Sequence, residues 1–391
     1  MVAINTRPWR DEIVLLMLNA CILGVMLLVG VATYSAVLPD ERVDVLHHNY
    51  NGGGMEINGP AVLVRKSMTE QVSVAAHYLV DSVSAASIDV ESFASPYTEE
   101  RIETSVATDL LVDKTLYSVN LSTSDENDYT ARTLGLSVSQ DFFGDLTTLS
   151  LGFGRGWDEV GNVVDTSFAE DVDRKHFQLH ISQILTTRWR AGIGFEAISD
   201  EGYLNNPYRP VRYIDTSSAK GWSTQAEAYP ATRHSNALAL SSDVALSTDQ
   251  ALLMQARYYT DTWGINGQSI ETQYRYRWNE WVLSVKARYY QQDGADFYSD
   301  LFPFANAQNF LARDKELSTY STVVLGAGVR FNFKPVFAPW IKRGELGLLV
   351  DQYMIDYDNF RDITVAGFVA GSEPKYSLSA SLIRFNLVVW Y

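Results

Sequence analysis

Only one cysteine, Cys21, occurs in the 391-residue chain, and it falls within the first 36 residues. After residue 38 the chain also lacks long apolar runs, which excludes transmembrane helices there because each needs about 20 such residues. Linkers, low-complexity tracts and internal repeats are absent as well, so nothing divides the rest of the chain into domains. If the first 36 residues are removed, the remaining chain has no thiol, which would suit passage through an oxidising compartment.

Basic residues are outnumbered, since 31 Lys and Arg stand against 47 Asp and Glu and give a net charge of -16. An acidic protein is a poor partner for nucleic acid, because phosphate binding needs clustered Lys and Arg. Acidic residues also keep loops and an unfolded precursor soluble. Aromatic residues make up 12% of the chain, which is unusual for a soluble enzyme.

The first 36 residues form a unit of their own. Two arginines precede an apolar stretch, 13–31, and small residues follow it. This order predicts that residues 1–36 are a helical signal peptide for export, with cleavage after Ala32 or Ala36. An uncleaved N-terminal hydrophobic anchor is the alternative. A lipoprotein signal at Cys21 is disfavoured because further apolar residues follow it.

The remaining segment, 37–391, is dominated by a period of two. In 376–391, for example, Ile383, Phe385 and Leu387 alternate with polar residues. Tilted strands of about 10–13 residues rise about 25–30 Å, which matches the apolar band of a membrane barrel. Strands of a soluble sandwich would be nearer 5–6 residues. The pattern therefore predicts an all-β protein, a single transmembrane antiparallel β-barrel.

The connections between these strands alternate in length. Short turns are predicted near 113–114, 143–145, 186–187, 247–249 and 279–280, and long segments at 86–101, 158–174, 199–232, 292–315 and 358–375. Short periplasmic turns and long extracellular loops are typical of outer-membrane barrels. Counting from Arg42 gives about sixteen strands, or fourteen if the first pair is a lid. The terminal aromatic residue, Tyr391, is expected to be recognised by the barrel-assembly machinery.

Four long strings resemble an uncharacterised bacterial family of outer-membrane barrels, known only as a domain of unknown function. They are ASIDVESFASPYTEER, SQDFFGDLTTLSLGFGRGWDEV, SDEGYLNNPYRPVRY and DFYSDLFPFANAQNFLARDKELS. The resemblance covers essentially the whole mature chain. It implies a single-chain barrel in a Gram-negative envelope, with no established substrate or catalytic residue. It also implies an association with envelope redox and flavin-attachment systems, although the chain has no CxxCH motif for haem.

A basic wall is predicted on the lumen side of the C-terminal strands, because charged side chains avoid lipid. Its members are Arg257, Arg275, Arg277, Lys286, Arg288, Arg330 and Arg384. Such a wall can select anionic solutes, as rings of Arg and Lys do in other pores. The alternative is a structural role, in which these residues pair with Asp261, Glu345 and Asp351 or hold an inward-folded loop.

The second candidate site is a loop constriction, because two long loops mix aromatic residues with Pro, Asn and Arg. Its predicted residues are Tyr203, Tyr208, Arg209, Arg212, Phe302 and Phe304. They are expected either to fold into the lumen or to form a packed extracellular cap. Either arrangement would narrow a lumen that sixteen strands would otherwise leave filled with water.

Metal and catalytic sites are not expected. His176 and His180 share a strand face, but four residues of strand separate them by about 13 Å, too far for one zinc ion. The acidic loop 158–173 fits no calcium-binding spacing. His234 and Ser235 resemble part of a lipid-hydrolase motif, yet adjacent strand residues face opposite ways. We therefore predict no enzyme activity, no cofactor and no metal.

The sequence as a whole favours a bacterial outer-membrane barrel, exported through its N-terminal signal and embedded among outer-membrane lipid and lipopolysaccharide. The preferred function is a partly occluded pore for small polar or anionic solutes. The alternative is a non-conducting scaffold or partner-binding barrel that serves a periplasmic redox partner of a flavin or electron-transfer system.

Overall fold

The structure, a computed structural model, describes residues 37–85, 97–336 and 338–391. The predicted signal peptide, residues 1–36, and most of the predicted loop 86–101 lie outside the described residues. Sixteen antiparallel strands close into one barrel, and two further strands form a separate small sheet. The predicted fold class and strand number are therefore confirmed.

The strands have the following bounds in chain order. They are β1 Arg42–Gly52, β2 Met55–Ser67, β3 Val72–Ala85, β4 Tyr97–Val112, β5 Thr115–Asp125, β6 Tyr129–Phe142, β7 Thr147–Gly161, β8 Ala169–Thr186, β9 Trp189–Gly202, β10 Pro210–Ile214, β11 Trp222–Ala226, β12 Thr232–Ala245, β13 Gln250–Asp261, β14 Asn266–Trp278, β15 Trp281–Gln292, β16 Tyr320–Phe333, β17 Arg343–Arg361 and β18 Lys375–Trp390.

The first strand belongs to the barrel wall. β1 pairs with β2 on one side and with β18 on the other, and it therefore closes the ring. Gly53 and Gly54, the two residues between β1 and β2, have φ of 60° and 77°. Positive φ at both central residues is what a tight two-residue hairpin turn requires, and glycine adopts it without strain. The alternative of fourteen strands with a lid is thus wrong.

Alternation along each strand separates two surfaces. On β18, Ile383 and Phe385 are exposed on the outer face, and Leu382 is buried on the lumen side. The same division recurs on the other strands, so large exposed apolar side chains cover the outside of the barrel. Closure itself satisfies the backbone hydrogen bonds of every wall strand, because a closed barrel has no free edge.

The two ends of the barrel differ. One end, here the turn end, carries the turns 68–71, 113–114, 143–146, 187–188, 246–249 and 279–280 together with the longer link 334–342. The opposite end, here the loop end, carries the long loops, of which 203–231 contains the hairpin of β10 and β11. Several strands extend further than expected, and β17 reaches 19 residues. The hydrogen bonds between these strands continue into segments that the sequence pattern predicts to be loops.

Helical structure is slight. A 3-10 helix, Lys315–Leu317, lies in the loop before β16, and Asp314 caps its first turn. Within the described ranges, no helix has both the length and the apolar character needed to cross a membrane.

Candidate functional site

The seven residues of the basic wall lie on β13, β14, β15, β16 and β18, four of which are consecutive in the ring. Each alternates with exposed outer-face residues such as Tyr276 and Val285, and so belongs to the lumen side. Arg277 is the most peripheral, since it is exposed near the turn end of β14. The wall is therefore a continuous lumen surface rather than a single cluster.

Four members of the basic wall have carboxylate partners. The ammonium of Lys286 lies 2.9 Å from Asp351, and the guanidinium of Arg384 lies 2.7 Å from the same carboxylate. One carboxylate on β17 thus serves one cation on β15 and one on β18. Because this triad is buried, removing one of its charges would cost free energy, since a buried charge needs a partner.

The other two pairs span β13 to β9, with β12 between them, and the adjacent strands β16 and β17. Arg257 contacts Glu196 at 2.5 Å, and Arg330 lies 3.6 Å from Glu345. Of the carboxylates expected to neutralise the wall, Glu345 and Asp351 do so, but Asp261 pairs with Arg233 instead. Pairing with carboxylates, the alternative to an anion-selective role, therefore involves only part of the basic wall.

Three arginines of the basic wall form no ion pair with a described residue. Arg275 donates to the side-chain oxygen of Gln273 at 2.7 and 3.0 Å, which leaves its charge unbalanced. Arg277 and Arg288 have no carboxylate within ion-pair distance, although Glu271 lies opposite Arg288 across β14 and β15. Counting Glu196, Glu271, Glu345 and Asp351, the wall carries seven cations against four carboxylates, an excess of three.

An acidic wall, which sequence reasoning missed, lies across the lumen. It comprises the buried residues Asp81, Glu99, Glu103 and Asp109 on β3 and β4, where Arg101 is the single arginine. β3 is eight strands from β13 in either direction round the ring, as β4 is from β14. The lumen is therefore polarised across its width, positive on one side and negative on the other.

Cations balance the acidic wall only in part. Arg65 on β2 pairs with Asp109, and His48 lies 2.8 Å from Asp81. Arg101 lies 2.7 Å from Glu103 and 3.7 Å from Glu126, which lies in the loop between β5 and β6. Burial raises the pKa of Glu126 to about 8, and the charges of Glu99 and Asp81 act in the same direction. The sequence signal for this wall is limited to Glu99, Glu103 and Asp109, which share one face of β4 with Arg101.

A third stretch of the wall, on β7 and β9, has little side-chain volume. Its lumen positions include Gly152, Gly154, Gly156, Gly192 and Gly194. At Gly154 the nearest atom to an added Cβ would be 3.7 Å away, so space remains there. At Gly192, by contrast, Ser241 and His180 already occupy that space, so the extra room lies mainly along β7.

The loop end is covered by a cap, formed by loops 203–231, 293–319 and 362–374. Isolated bridges join Tyr213 to Phe302 and Ala228 to Leu311, and thus tie the first loop to the second. Aromatic residues fill the interior of the cap beside the barrel rim: the rings of Tyr229, Trp263 and Phe297 are 5.2–5.5 Å apart. Such edge-on and tilted ring contacts are typical of packed cores.

Buried ion pairs fix the cap. Arg212 is 0% exposed, and its guanidinium contacts both Asp300 and Glu373, the latter at 2.5 Å. Arg209 is also buried and pairs with Asp314. Both arginines were predicted from the sequence, but none of their partners could be.

The remaining predicted loop residues are distributed over the cap and its surroundings. Phe302 is buried, and the ring of Tyr203 lies 5.1 Å from that of Phe168. The hydroxyl of Tyr208 donates to Asp128 at 2.9 Å. Phe304, by contrast, is 59% exposed and contributes nothing to the packed interior.

These contacts show how far the cap extends over the loop end. Tyr208 reaches Asp128 between β5 and β6, and Arg212 reaches Glu373 between β17 and β18. Eight wall strands separate these two hairpins on one side and four on the other. The cap therefore crosses a large part of the opening.

One carboxyl inside the cap has a strongly altered acidity. Glu227 accepts hydrogen bonds from the hydroxyl of Tyr229 at 2.6 Å and from the backbone amides of Arg313 and Asp314 at 2.6 and 3.0 Å. Burial nevertheless raises the pKa of Glu227 to about 7, and the neighbouring Asp314 carboxylate adds to the effect. Arg209 opposes it.

The histidines singled out from the sequence do not form a site together. The ring of His176 lies 2.6 Å from Glu196, the carboxylate that also binds Arg257. His234 is exposed, and Ser235 is buried and hydrogen-bonds the hydroxyl of Tyr259 at 2.9 Å. Across the described ranges, no group of three or more His, Cys, Asp or Glu is placed to hold a metal ion.

Among solved structures, the chain is similar to a bacterial polysaccharide outer membrane secretin, with 9% identity and a TM-score of 0.49 over 90% of this chain and 98% of that chain. It is also similar to the siderophore receptor PirA from Pseudomonas aeruginosa, with 10% identity and a TM-score of 0.42 over 90% of this chain and 63% of the receptor. A third, OccK2 (OpdF) from Pseudomonas aeruginosa in complex with glucuronate, has 9% identity and a TM-score of 0.37 over 91% of this chain and 100% of that one.

No curated protein matches the sequence. A family model described as a protein of unknown function (DUF3570) matches residues 85–178 and 168–389. Because these overlapping matches span most of the barrel and more than half of the chain, the protein belongs to the DUF3570 family.

Proposed function

We propose that the protein is an integral outer-membrane barrel whose partly occluded lumen passes small polar solutes and prefers anions. The exposed apolar outer face supports the location, because such a surface is stable against lipid rather than water. The turn end would then face the periplasm and the cap the exterior. Export through residues 1–36 and recognition of Tyr391 by the assembly machinery are part of the same proposal.

The observation that carries the anion preference is the cation excess of the basic wall. Arg275 and Arg288 point into the lumen with no carboxylate partner among the described residues, so their charge is available to a passing solute. Rings of Arg and Lys favour anions in pores through this electrostatic attraction. The acidic wall on the far side would draw cations to its own surface and leave the basic side to anions.

The size limit follows from the cap. Its loops cross the opening between the β5–β6 and β17–β18 hairpins, which leaves a passage narrower than the wall itself would allow. The glycines on β7 leave side-chain space in the wall below it. A solute of a few polar groups would fit this route better than a folded chain or a large lipid.

The test is single-channel conductance of the refolded protein in a planar bilayer, with the reversal potential measured in a potassium chloride gradient. We expect anion selectivity in the unmodified protein and a clear loss of it in the double variant Arg275→Gln, Arg288→Gln. The matched control is Lys66→Gln with Lys375→Gln, which removes two exposed cations outside the basic wall. Equal effects of the two double variants would contradict the proposal.

The cap also supports a second candidate, a non-conducting scaffold or partner-binding barrel in an envelope redox system. A cap held by buried ion pairs could close the lumen altogether. Absence of current from a demonstrably folded barrel, together with a periplasmic partner recovered by crosslinking, would favour this candidate. Neither candidate involves catalysis or a cofactor.

A further inference from the structure

A groove of about 430 Å³ opens on the outer face of β6, β7, β8 and β9. Its side-chain lining is apolar and includes Leu136, Leu151, Phe153, Phe177, Leu179 and Phe195. The rings of Phe153 and Phe177 are 5.0 Å apart and form one side of it. A concave apolar surface of this kind fits a hydrocarbon chain better than a flat barrel wall does.

Three cations lie directly beside this apolar groove, here called the lipid groove, on its loop-end side. Arg155 is two residues beyond Phe153 on β7, and Lys175 is two residues before Phe177 on β8; the two cations are opposite each other in the ladder. Arg132 on β6 is opposite Trp157, the next outward position after Arg155. Side chains directly or diagonally opposite on adjacent strands are about 5–8 Å apart, so Arg155 lies between the other two cations and within this distance of each.

The three cations are only partly neutralised. Asp173 lies 2.6 Å from Arg155 and 3.6 Å from Lys175, so one carboxylate is shared between two cations. Arg132 is exposed, and no described residue forms an ion pair with it. The guanidinium of Arg155 also stacks 5.2 Å from the ring of Trp157, an aromatic residue exposed at the same height. Tryptophan is enriched where a membrane meets water.

From this arrangement we infer that the outer face of β6–β9 binds a phosphorylated lipid of the outer leaflet. The lipid groove takes an acyl chain, and Arg132, Arg155 and Lys175 bind the phosphate at the membrane surface. Arginine suits phosphate because its planar group donates two parallel hydrogen bonds. The inference rests on the proposed outer-membrane location but not on conduction through the lumen.

The test measures lipid binding by native mass spectrometry of the refolded full-length barrel in detergent. The probes are a diphosphorylated glucosamine-based lipid, the same lipid without phosphates, and inorganic phosphate. We expect saturable binding of the diphosphorylated lipid and at least about tenfold weaker binding in the triple variant Arg132→Gln, Arg155→Gln, Lys175→Gln, since surface Lys and Arg attract anionic lipid. Removal of the lipid phosphates should weaken binding similarly.

Two variants separate the contributions. Leu136→Trp places bulk in the lipid groove and keeps the cations, so it should weaken binding of the acylated probe and leave phosphate binding unchanged. The control Lys66→Gln, Lys114→Gln, Lys375→Gln removes three cations elsewhere and should bind as the unmodified protein does. The electrophoretic shift between heated and unheated samples verifies that each variant is folded.

Three outcomes would overturn the inference. These are equal binding of the lipid with and without phosphates, equal competition by inorganic phosphate alone, and a dimer that dissociates in the triple variant, which would identify a second copy of the chain as the occupant. Loss of conductance would not affect the result, because binding is measured without current.

Discussion

The guanidinium of Arg212 and the carboxylate of Glu373 form a buried ion pair, although the two residues are 161 positions apart. The donor–acceptor distances are 2.5 and 3.2 Å. The same guanidinium contacts Asp300. One side chain therefore joins the loops that follow β9, β15 and β17, and the cap behaves as a single packed unit rather than three independent loops.

Replacing Arg212 by Gln should loosen the cap, because the two carboxylates would remain buried without their cation. Removal of one partner from a buried pair typically costs about 3–5 kcal/mol. We expect faster hydrogen exchange in 203–231 and 362–374, with the barrel strands unchanged, and a larger single-channel conductance. Phe304→Ala, in the same cap but on an exposed side chain, serves as the control. Unchanged exchange in Arg212→Gln would show that the ion pair does not hold the loops.

The cap should become less stable as the pH rises. The pKa of Glu227 in the folded protein is raised to about 7, above its ordinary value of 4.5, chiefly by burial. A group with a raised folded-state pKa contributes stability below its unfolded pKa, and that stability is lost as the pH rises through the folded pKa. The window therefore extends from about 4.5 to about 7.

Limited proteolysis of loop 203–231 across this range measures the effect, with the intrinsic pH dependence of the protease subtracted. Cleavage should accelerate toward neutral pH in the unmodified protein. Glu227→Gln, which mimics the protonated side chain, should remove the dependence. Asp314, Arg209 and Tyr229 face the same carboxyl and remain in both proteins. A pH dependence that survives Glu227→Gln would have to arise from another group.

The shared carboxylate of Asp351 should be more important for stability than an exposed ion pair. Asp351→Asn leaves Lys286 and Arg384 without their common partner in the lumen, so we expect a loss of about 3–5 kcal/mol in unfolding free energy. Asp243→Asn, which breaks the more exposed pair with Arg190, should cost at most about 1 kcal/mol. Denaturant unfolding followed by tryptophan fluorescence measures both. Equal losses would mean that lumen water screens both sites alike.

The outer face gives a direct test of the membrane location. Val285 on β15 is 57% exposed near the middle of the wall, and Val369 in the cap is 78% exposed. An arginine in the midplane of a bilayer costs about 2–4 kcal/mol, and one in water costs little. Val285→Arg should therefore destabilise the barrel in lipid vesicles far more than Val369→Arg does. Similar stabilities of the two variants would contradict burial of this face in lipid.

The wall of the barrel was predictable because its signal is local. Alternation assigns each side chain to the outer face or the lumen from its immediate neighbours, and this is why Arg384 and Phe385 could be placed on opposite surfaces. The two glycines after β1 likewise indicate a tight turn from the local sequence alone. Strand ends were less certain, because ladders such as that of β17 continue into polar segments.

The partners of the charged residues were not predictable in the same way. Arg212 was identified as a cap residue, but its contacts with Asp300 and Glu373 depend on how loops far apart in the chain meet at one end of the barrel. The acidic wall faces the basic wall only because the ring places β3 across from β13. Neither relationship leaves a periodic trace in the sequence.

The position of Glu373 between the last two strands has a consequence for biogenesis. Arg212 is synthesised well before Glu373, so the ion pair that fixes the cap cannot form until the loop before β18 has been made and has reached the loop end. The last buried contact of the cap is therefore expected to form late in folding. A chain that stalls before this step would leave Arg212 buried or exposed without one of its two carboxylate partners.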